Sequence, residues 1–267
     1  MKPAPFTYFA PESLDEALAL RAEHAGDCVV LAGGQSLLPI LHLRLAQPAV
    51  VIDVNRIPGL GEIAERNGGL SIGARVRQRQ AEQSPLVAER APLLAKALPL
   101  IAHPAIRNRG TIGGSIAHAD PAAELPAVAL ALDAELVATS KARGERSIPA
   151  SEFFHGFLST ALESDELLTE IRLEAPTPGS GVAFHEVARN HGAFAIVGAA
   201  AVVKVSEGTV GEAHPHMVER NDAVERAAFS DQPSVVEGPR RIPMQAQDRI
   251  RGAGAFVDVV EATGREL

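Results

Sequence analysis

The sequence has few of the residues that several common kinds of site require. Its 267 residues include one cysteine, Cys28, one tyrosine and no tryptophan. A single thiol cannot close an internal disulfide, build a zinc knuckle or ligate an iron–sulfur cluster. Aromatic residues make up only 4% of the chain, which leaves little material for a site of stacked rings. A redox centre held by cysteines would therefore belong to another chain.

The chain also lacks an excess of positive charge. It has 25 Lys and Arg residues against 33 Asp and Glu residues, for a net charge of −8. This balance offers no electrostatic surface for nucleic acid or an anionic membrane. No apolar run precedes Pro11, and the low-charge residues 194–203 are far fewer than the roughly 20 that span a bilayer. We therefore expect a soluble cytoplasmic protein, without nucleic-acid partners or membrane insertion.

Apolar periodicity and turn residues predict mixed helices and strands over the first 205 residues. Helices are predicted over 13–23, 36–45, 92–102 and 122–132. Strands are predicted over 28–31, 50–54, 135–139, 166–173, 182–187 and 195–205, with a hairpin whose turn is Asn67-Gly68-Gly69. Residues 105–121 are interpreted as irregular, and residues 176–181 as a Pro- and Gly-rich linker. Residues from 209 onward show neither the helical nor the strand periodicity of apolar residues, which predicts a loosely structured tail.

The first candidate site is the run AGGQSLLP at residues 32–39, directly after the predicted strand 28–31. Adjacent glycines let successive backbone N–H groups point into one concavity, and the following helix adds its positive N-terminal end. This combination binds phosphate oxygens. An ordinary strand-to-helix turn explains the same residues equally well, because a lone glycine pair is a weak signal.

The second candidate site is the run GTIGGSIAHADP at residues 110–121. Its glycine pair again allows close backbone approach, with the hydroxyls of Thr111 and Ser115 beside it. Asp120 and Glu124 follow where they could accept hydrogen bonds from sugar hydroxyls. The competing interpretation is a surface loop that needs glycine only for its backbone angles. Two such turns, each beside hydroxyls and each leading towards a helix, favour a dinucleotide whose diphosphate is held from both sides.

Other nucleotide and hydrolase motifs are missing from the sequence. Neither glycine run has the G-x-G-x-x-G pattern of a Rossmann fold, and the P-loop pattern is also absent. The serines lack the G-x-S-x-G context of a hydrolase nucleophile, so we interpret them as ligand or turn contacts. His103 and His118 flank the second glycine run and are interpreted as polar loop contacts rather than metal ligands. No metal site and no catalytic acid or base is assigned.

Taken together, the two runs resemble the paired flavin motifs of the medium subunit of molybdenum hydroxylases. That family includes aerobic carbon monoxide dehydrogenase, xanthine dehydrogenase and bacterial N-heteroaromatic hydroxylases. The likeness extends from about residue 6 to about residue 205. It rests on AGGQSLLP (32–39) and TIGGSIAHADPAAELP (111–126), with support from VIDVNRIPGL (51–60), SIGARV (71–76), IAHPAIRNRG (101–110), DELLTEIRL (165–173) and FHEVARNHGAFAIVGAAA (184–201).

The resemblance implies an α+β fold with a p-cresol methylhydroxylase-type FAD-binding domain. That domain would comprise two α+β subdomains over residues 1–176. A smaller α+β C-terminal domain would follow over residues 182–267. Relatives continue past residue 205 with an ordered sheet and closing helices, a pattern that residues 209–267 do not show. We therefore expect the C-terminal domain to be atypical and disordered from residue 209.

The resemblance also implies residues that bind FAD. The backbone of residues 32–37 would hold the diphosphate from one side, and Thr111, Gly114 and Ser115 from the other. Carboxylates would bind ribose or ribityl hydroxyls, and apolar residues would pack near the isoalloxazine. Many relatives have Asn where this sequence has Ser115. The full candidate set is Ala32, Gly33, Gly34, Gln35, Ser36, Leu37, Ile101, Ala102, Thr111, Gly114, Ser115, His118, Asp120, Glu124, Leu168 and His185.

By the same resemblance, the expected function is electron transfer through FAD in a molybdenum-containing hydroxylase or dehydrogenase. The molybdenum cofactor would lie in a large partner subunit and two two-iron, two-sulfur clusters in a small one. A dimer of heterotrimers is the expected assembly. Two alternatives stay open: a self-sufficient flavin oxidoreductase of the same fold, and a non-enzymatic scaffold that binds nucleotides.

Overall fold

The computed structural model of the chain describes residues 2–206 and 209–219. Two short 3₁₀-helices, Val54–Arg56 and Leu98–Leu100, supplement the α-helices. The described α-helices are α1 (Leu14–Glu23), α2 (Leu37–His42), α3 (Gln78–Glu82), α4 (Pro85–Arg90), α5 (Pro92–Ala97), α6 (Pro104–Arg107), α7 (Ile112–His118), α8 (Glu124–Ala131) and α9 (Ala150–Phe153). The described strands are β1 (Thr7–Phe9), β2 (Cys28–Leu31), β3 (Val50–Asp53), β4 (Ile63–Arg66), β5 (Gly69–Gly73), β6 (Glu135–Ser140), β7 (Gly144–Pro149), β8 (Phe154–Gly156), β9 (Ser159–Thr160), β10 (Glu166–Leu173), β11 (Ser180–Ala188), β12 (Ala195–Ser206) and β13 (Thr209–Glu219).

The N-terminal segment forms a small parallel sheet with the order β1-β3-β2. Helix α1 begins at Leu14 because the Ser13 hydroxyl accepts a hydrogen bond from the Glu16 N–H at 3.2 Å. Apolar side chains of α1, Ala17 and Leu18, are buried. Since β2 and β3 run in parallel, their carboxyl ends lie at the same edge of the sheet. The first glycine run therefore leaves the sheet at that edge.

A five-stranded antiparallel sheet with the order β4-β5-β10-β6-β7 forms the second layer. Asn67 and Gly68 both have positive φ, 51° and 81°, at the turn between β4 and β5. This geometry suits a two-residue hairpin, because Asn and Gly tolerate the left-handed region. The main hydrophobic core contains side chains from this sheet and from helices α5, α7 and α8, with Phe153 fully buried in it.

A third, antiparallel sheet has the order β11-β12-β13. Phe184 of β11 and Ala200 of β12 are buried in the same core cluster as α5 and α8. All described residues belong to one compact unit. The domain boundary expected between residues 176 and 182 stays a prediction. None of the described helices is long and apolar enough to cross a membrane.

Two expectations from the sequence are wrong. Residues 105–121 are not irregular, since they contain most of α6 and all of α7. Helix α7 forms because Thr111 caps it and because Ile112 and Ile116 are buried on its inner side. The tail is also not loose from its start, because β13 pairs with β12 over Thr209–Glu219. The expectation for residues 220–267 lies outside the described residues.

Candidate functional site

The first glycine run connects β2 to α2 and carries a row of available backbone donors. The N–H groups of Gly33, Gly34, Gln35, Ser36 and Leu37 donate to no acceptor within residues 2–206 and 209–219. Gly34 has a φ of +73°, which turns the backbone where a side chain would be strained. Ser36 leaves the start of α2 without a side-chain cap. Consecutive donors on a turn of this kind form a concavity that suits an anionic oxygen.

The second glycine run differs, because its backbone donors are used within the fold. Ile112 and Gly113 donate to the carbonyl oxygens of Val76 and Ala74, both at 2.9 Å. Gly114 donates to the Thr111 hydroxyl at 3.0 Å, and Ser115 donates to the Thr111 carbonyl at 3.2 Å. These bonds fix the first turn of α7, and two of them join it to the segment that directly follows β5. The second run therefore offers hydroxyl groups and a fixed surface, whereas the first offers amide donors.

The two glycine runs lie directly against each other. A Cβ placed on Gly33 would lie 2.6 Å from the Arg109 carbonyl oxygen and 2.8 Å from the Gly110 Cα. A Cβ on Gly114 would lie 3.7 Å from the Cβ of Ala32. Distances under 3.0 Å leave no room for a side chain, so Gly33 is required by the contact between the runs. The structure thus brings together two segments about 80 residues apart, as a shared diphosphate site requires.

Two candidate carboxylates lie between α7 and the start of α8. Asp120 accepts a hydrogen bond from the Ala122 N–H at 2.9 Å, which shapes the turn between the helices. Glu124 is 6% exposed. Burial raises the pKa of the Glu124 carboxyl to about 7, with smaller contributions from the negative charges of Glu186 and Asp120. Burial also raises the pKa of Glu186, whose Oε2 atom is buried without a hydrogen-bond partner among the described residues.

A buried arginine holds the candidate segment Ile101–Ala102 in place. Ala102 has a φ of +43°, which is unusual for a residue with a side chain. The Arg107 guanidinium donates to the carbonyl oxygens of Ile101 and Ala102, at 2.7 and 3.1 Å. Its other nitrogens bind both carboxylate oxygens of Glu82, at 2.9 and 3.1 Å. This paired geometry explains how the strained backbone at Ala102 is kept.

The β11–β12 hairpin also contacts this segment. Gly192 has a φ of +78°, and a Cβ there would lie 2.8 Å from the Ala102 carbonyl oxygen and 2.7 Å from the His103 ring. The rings of His103 and His191 lie 6.2 Å apart between centroids. The tip of the hairpin therefore covers the backbone next to Ile101.

The remaining candidates have varied surroundings. Leu168 is 9% exposed and packs in the main core. His118 and Ser115 are half-buried on α7, and His185 is exposed on β11. Their proposed contacts with FAD stay predictions. Within the described part of the chain, no three His, Cys, Asp or Glu side chains are grouped so as to hold a metal ion.

Reasoning from the sequence did not identify three polar residues that shape the site: Asn55, Arg77 and Arg107. Asn55 binds the Ala32 carbonyl oxygen, and Arg77 binds that of Arg109. A usable signal was present for Asn55, because it is a polar residue that directly follows the predicted strand 50–54. For Arg107 the sequence contains no comparable signal. Its partner Glu82 is distant in the sequence, and its partner Ile101 lies in an apolar segment.

The fold and the loop geometry define an α+β domain in which two glycine runs meet and the first of them presents a row of free backbone donors. The family described as "FAD binding domain in molybdopterin dehydrogenase" matches residues 4–176. The chain is 46% identical over 203 residues to caffeine dehydrogenase subunit beta of Pseudomonas sp. (strain CBB1), covering 76% of this chain and 69% of that protein. It is 45% identical over 210 residues to the carbon monoxide dehydrogenase medium chain of Hydrogenophaga pseudoflava, covering 79% and 73%.

A solved carbon monoxide dehydrogenase from Hydrogenophaga pseudoflava, which lacks the Mo-pyranopterin moiety, has the same fold. The TM-score is 0.79 at 44% identity, covering 82% of this chain and 76% of that one. This chain belongs to the family of FAD-binding domains of molybdopterin dehydrogenases, and it is an oxidoreductase subunit. The resemblance inferred from the sequence and the expected α+β FAD-binding fold are thereby confirmed.

Proposed function

We propose that this chain transfers electrons through FAD in a molybdenum-containing hydroxylase or dehydrogenase. It would receive electrons from iron–sulfur clusters in a small partner subunit and pass them to an external acceptor. A large partner subunit would hold the molybdenum cofactor, and the assembly would be a dimer of heterotrimers. A cytoplasmic location is part of the same proposal.

One observation supports the FAD site more than any other. Five consecutive N–H groups, from Gly33 to Leu37, have no acceptor in the described structure, and they adjoin the second glycine run. Gly33 is buried, Gly34, Gln35 and Leu37 are half-buried, and Ser36 is exposed. A row of free donors on a glycine turn that leads into a helix is typical of a site that an anion completes. The diphosphate of FAD is dianionic and can accept several hydrogen bonds at once. The residues present therefore fit this cofactor.

The proposed roles of the other residues follow from their positions. The first turn of α7 would support the diphosphate from the opposite side, with Ser115 supplying a hydroxyl. Asp120 and Glu124 would bind ribose or ribityl hydroxyls. Ile101, held by Arg107, would pack near the isoalloxazine. When bound, FAD supplies the ability to take electrons singly and release them as a pair.

The cysteine content supports the assignment of the clusters to a partner. Cys28 is buried, and its Sγ accepts a hydrogen bond from the Arg21 guanidinium at 2.9 Å. It is the only cysteine in this sequence. Ligands for two iron–sulfur clusters would have to come from another chain. The relatives are themselves named as subunits or medium chains, which agrees with this division of roles.

Flavin binding by the purified full chain tests the proposal. We expect the wild-type chain to bind FAD stoichiometrically and to show a flavin spectrum. Gly33→Ala should weaken FAD binding by about tenfold or more, because the added methyl group would push the first run away from Arg109 and misplace donors that bind a charged group. Gly181→Ala is the matched control, because an added Cβ there meets nothing within 4 Å. A folded, colourless chain that binds adenine nucleotides alone would favour the scaffold alternative.

Purification of the complex from its host tests the partner assignment. We expect two further chains to accompany this one, with molybdenum and two-iron, two-sulfur clusters detectable by metal analysis and electron paramagnetic resonance. Substrate turnover by the isolated chain with FAD would instead favour the self-sufficient flavin oxidoreductase.

A further inference from the structure

Asn55 links the first glycine run to the parallel sheet. It lies two residues after β3, and its side-chain amide donates to the Ala32 carbonyl oxygen at 2.8 Å. Its own backbone N–H donates to the Asp53 carboxylate at 2.8 Å, which fixes the turn that carries it. The other Asp53 oxygen accepts a hydrogen bond from the Tyr8 hydroxyl at 2.6 Å. Asn55 is thus anchored on β1 and β3.

Arg77 links Asn55 to the second glycine run. One guanidinium nitrogen donates to the Asn55 side-chain oxygen at 2.6 Å, and the other donates to the Arg109 carbonyl oxygen. The backbone on both sides of Arg77 holds the same run, since Gln78 donates to the Gly110 carbonyl oxygen and Ile112 donates to that of Val76, both at 2.9 Å. Arg77 therefore fastens a loop of the antiparallel layer to the parallel sheet.

The hydrogen bonds from Asn55 to the Ala32 carbonyl and from Arg77 to the Arg109 carbonyl lie on either side of the contact at Gly33. Ala32 immediately precedes Gly33, and Arg109 carries the oxygen against which Gly33 packs. Asn55 and Arg77 thus bridge the two backbones at the point where no side chain fits between them. A shift of either carbonyl group would change how the free amides of the first run face the second run.

The charge of Arg77 makes its position costly. Burial and the positive charges of Arg75 and Arg109 lower its pKa, and Asp53 opposes them only as a weaker influence. Simple attraction of an anion would be achieved more easily by an exposed cation. The planar guanidinium fork can reach two acceptors in fixed directions, which an ammonium group cannot do.

We propose that Asn55 and Arg77 are positioning residues for FAD, which together set the spacing of the two glycine runs. This inference rests on the proposed function, because it concerns the diphosphate site of the same cofactor. Neither residue needs to contact FAD. Their effect is to hold the amide donors of Gly33–Leu37 in the geometry that binds the diphosphate before the cofactor arrives.

The test is a pair of titrations of the FAD-free full chain, with FAD followed by flavin fluorescence and with ADP followed by calorimetry. The variants are Arg77→Lys, Asn55→Ala and the double variant. Each single variant should weaken FAD binding by about tenfold or more, as expected when a hydrogen bond to a charged group is lost. ADP, which carries the diphosphate without the isoalloxazine, should lose affinity by a similar factor. The double variant should lose little more than one single variant, because both substitutions break one connection.

Arg56→Met is the matched control. Arg56 adjoins Asn55, has the same charge and has a side chain that is 65% exposed. This control should change both affinities less than about twofold. Circular dichroism and thermal melting establish that each variant is folded. If Asn55→Ala does not fold, the FAD and ADP affinities of Arg77→Lys alone test the inference.

An affinity of Arg77→Lys for FAD equal to that of wild type would overturn the inference, because it would show that a positive charge suffices without the planar guanidinium group. Independent, multiplicative losses in the double variant would overturn it as well, as would an unchanged affinity for ADP. A wild-type chain that binds no FAD would overturn the proposed function itself and the inference with it. A failure of this inference can therefore be distinguished from a failure of the proposed function.

Discussion

The buried carboxyl of Glu124 gives a pH dependence whose magnitude follows from its surroundings. Its pKa is raised from 4.5 to about 7, chiefly by burial. At about 1.36 kcal/mol per pKa unit, the charged form disfavours the folded state by ~3 kcal/mol above pH 7. The folded chain binds the proton more tightly than the unfolded chain, so this contribution favours folding at low pH and is lost as the pH rises from about 4.5 to about 7.

The Glu124→Gln substitution removes this titration while keeping the shape of the side chain. The free energy of unfolding of the variant, relative to that of wild type, should be roughly 2–3 kcal/mol higher at about pH 8 than at about pH 5. Urea unfolding of the FAD-free chain at both pH values measures the difference. Glu62→Gln, at an exposed position, is the matched control for the substitution itself. A stability difference for Glu124→Gln that is the same at both pH values, or that falls with rising pH, would refute the reasoning.

Two further predictions concern the packing around the second glycine run. Arg107→Met leaves Glu82 without its main buried partner and should lower the free energy of unfolding in urea by about 3 kcal/mol or more. The control Arg79→Met should lower it by less than about 1 kcal/mol, because Arg79 is more exposed. Gly113→Ala places a Cβ 2.6 Å from the Cα of Ala74 and should lower the free energy of unfolding by ~1–3 kcal/mol, which thermal melting would detect. Equal losses for the two arginine variants, or a neutral Gly113→Ala, would contradict the structure.

Local patterns predicted those elements whose stability is decided nearby in the sequence. Strands β2 and β10 have the predicted bounds, because short apolar or alternating runs end at clear turn residues. Helix α1 begins where its cap, Ser13, was expected. The predicted hairpin is likewise confirmed in β4 and β5, although its turn comprises Asn67 and Gly68 while Gly69 already belongs to β5.

Elements that depend on distant contacts were not predictable in the same way. Helix α7 has two adjacent glycines, which ordinarily weaken a helix, yet Gly113 packs against Ala74 and donates to its carbonyl oxygen. Strand β13 contains Pro215, which argues against a central strand. It is the end strand of the described sheet, where a missing N–H is tolerated. Neither circumstance is visible in a window of local sequence.

The candidate site was predictable in outline and not in its hydrogen bonding. Glycine motifs located both runs, and the structure brings them into contact at Gly33. The difference between them was not foreseen, since Ile112 and Gly113 donate to Val76 and Ala74, which follow β5 far earlier in the chain. Asn55 and Arg77 were missed for the same reason, because their partners become neighbours only in the folded chain.

Amide hydrogen exchange at single-residue resolution, with and without FAD, tests the central claim most directly. Without FAD, the amides of Gly33–Leu37 should exchange rapidly, while those of residues 112–115 should already be protected by their bonds within the fold. Saturation with FAD should protect the first group and leave the second nearly unchanged. Unaltered exchange at Gly33–Leu37 in the saturated protein would contradict the claim that these donors hold the diphosphate.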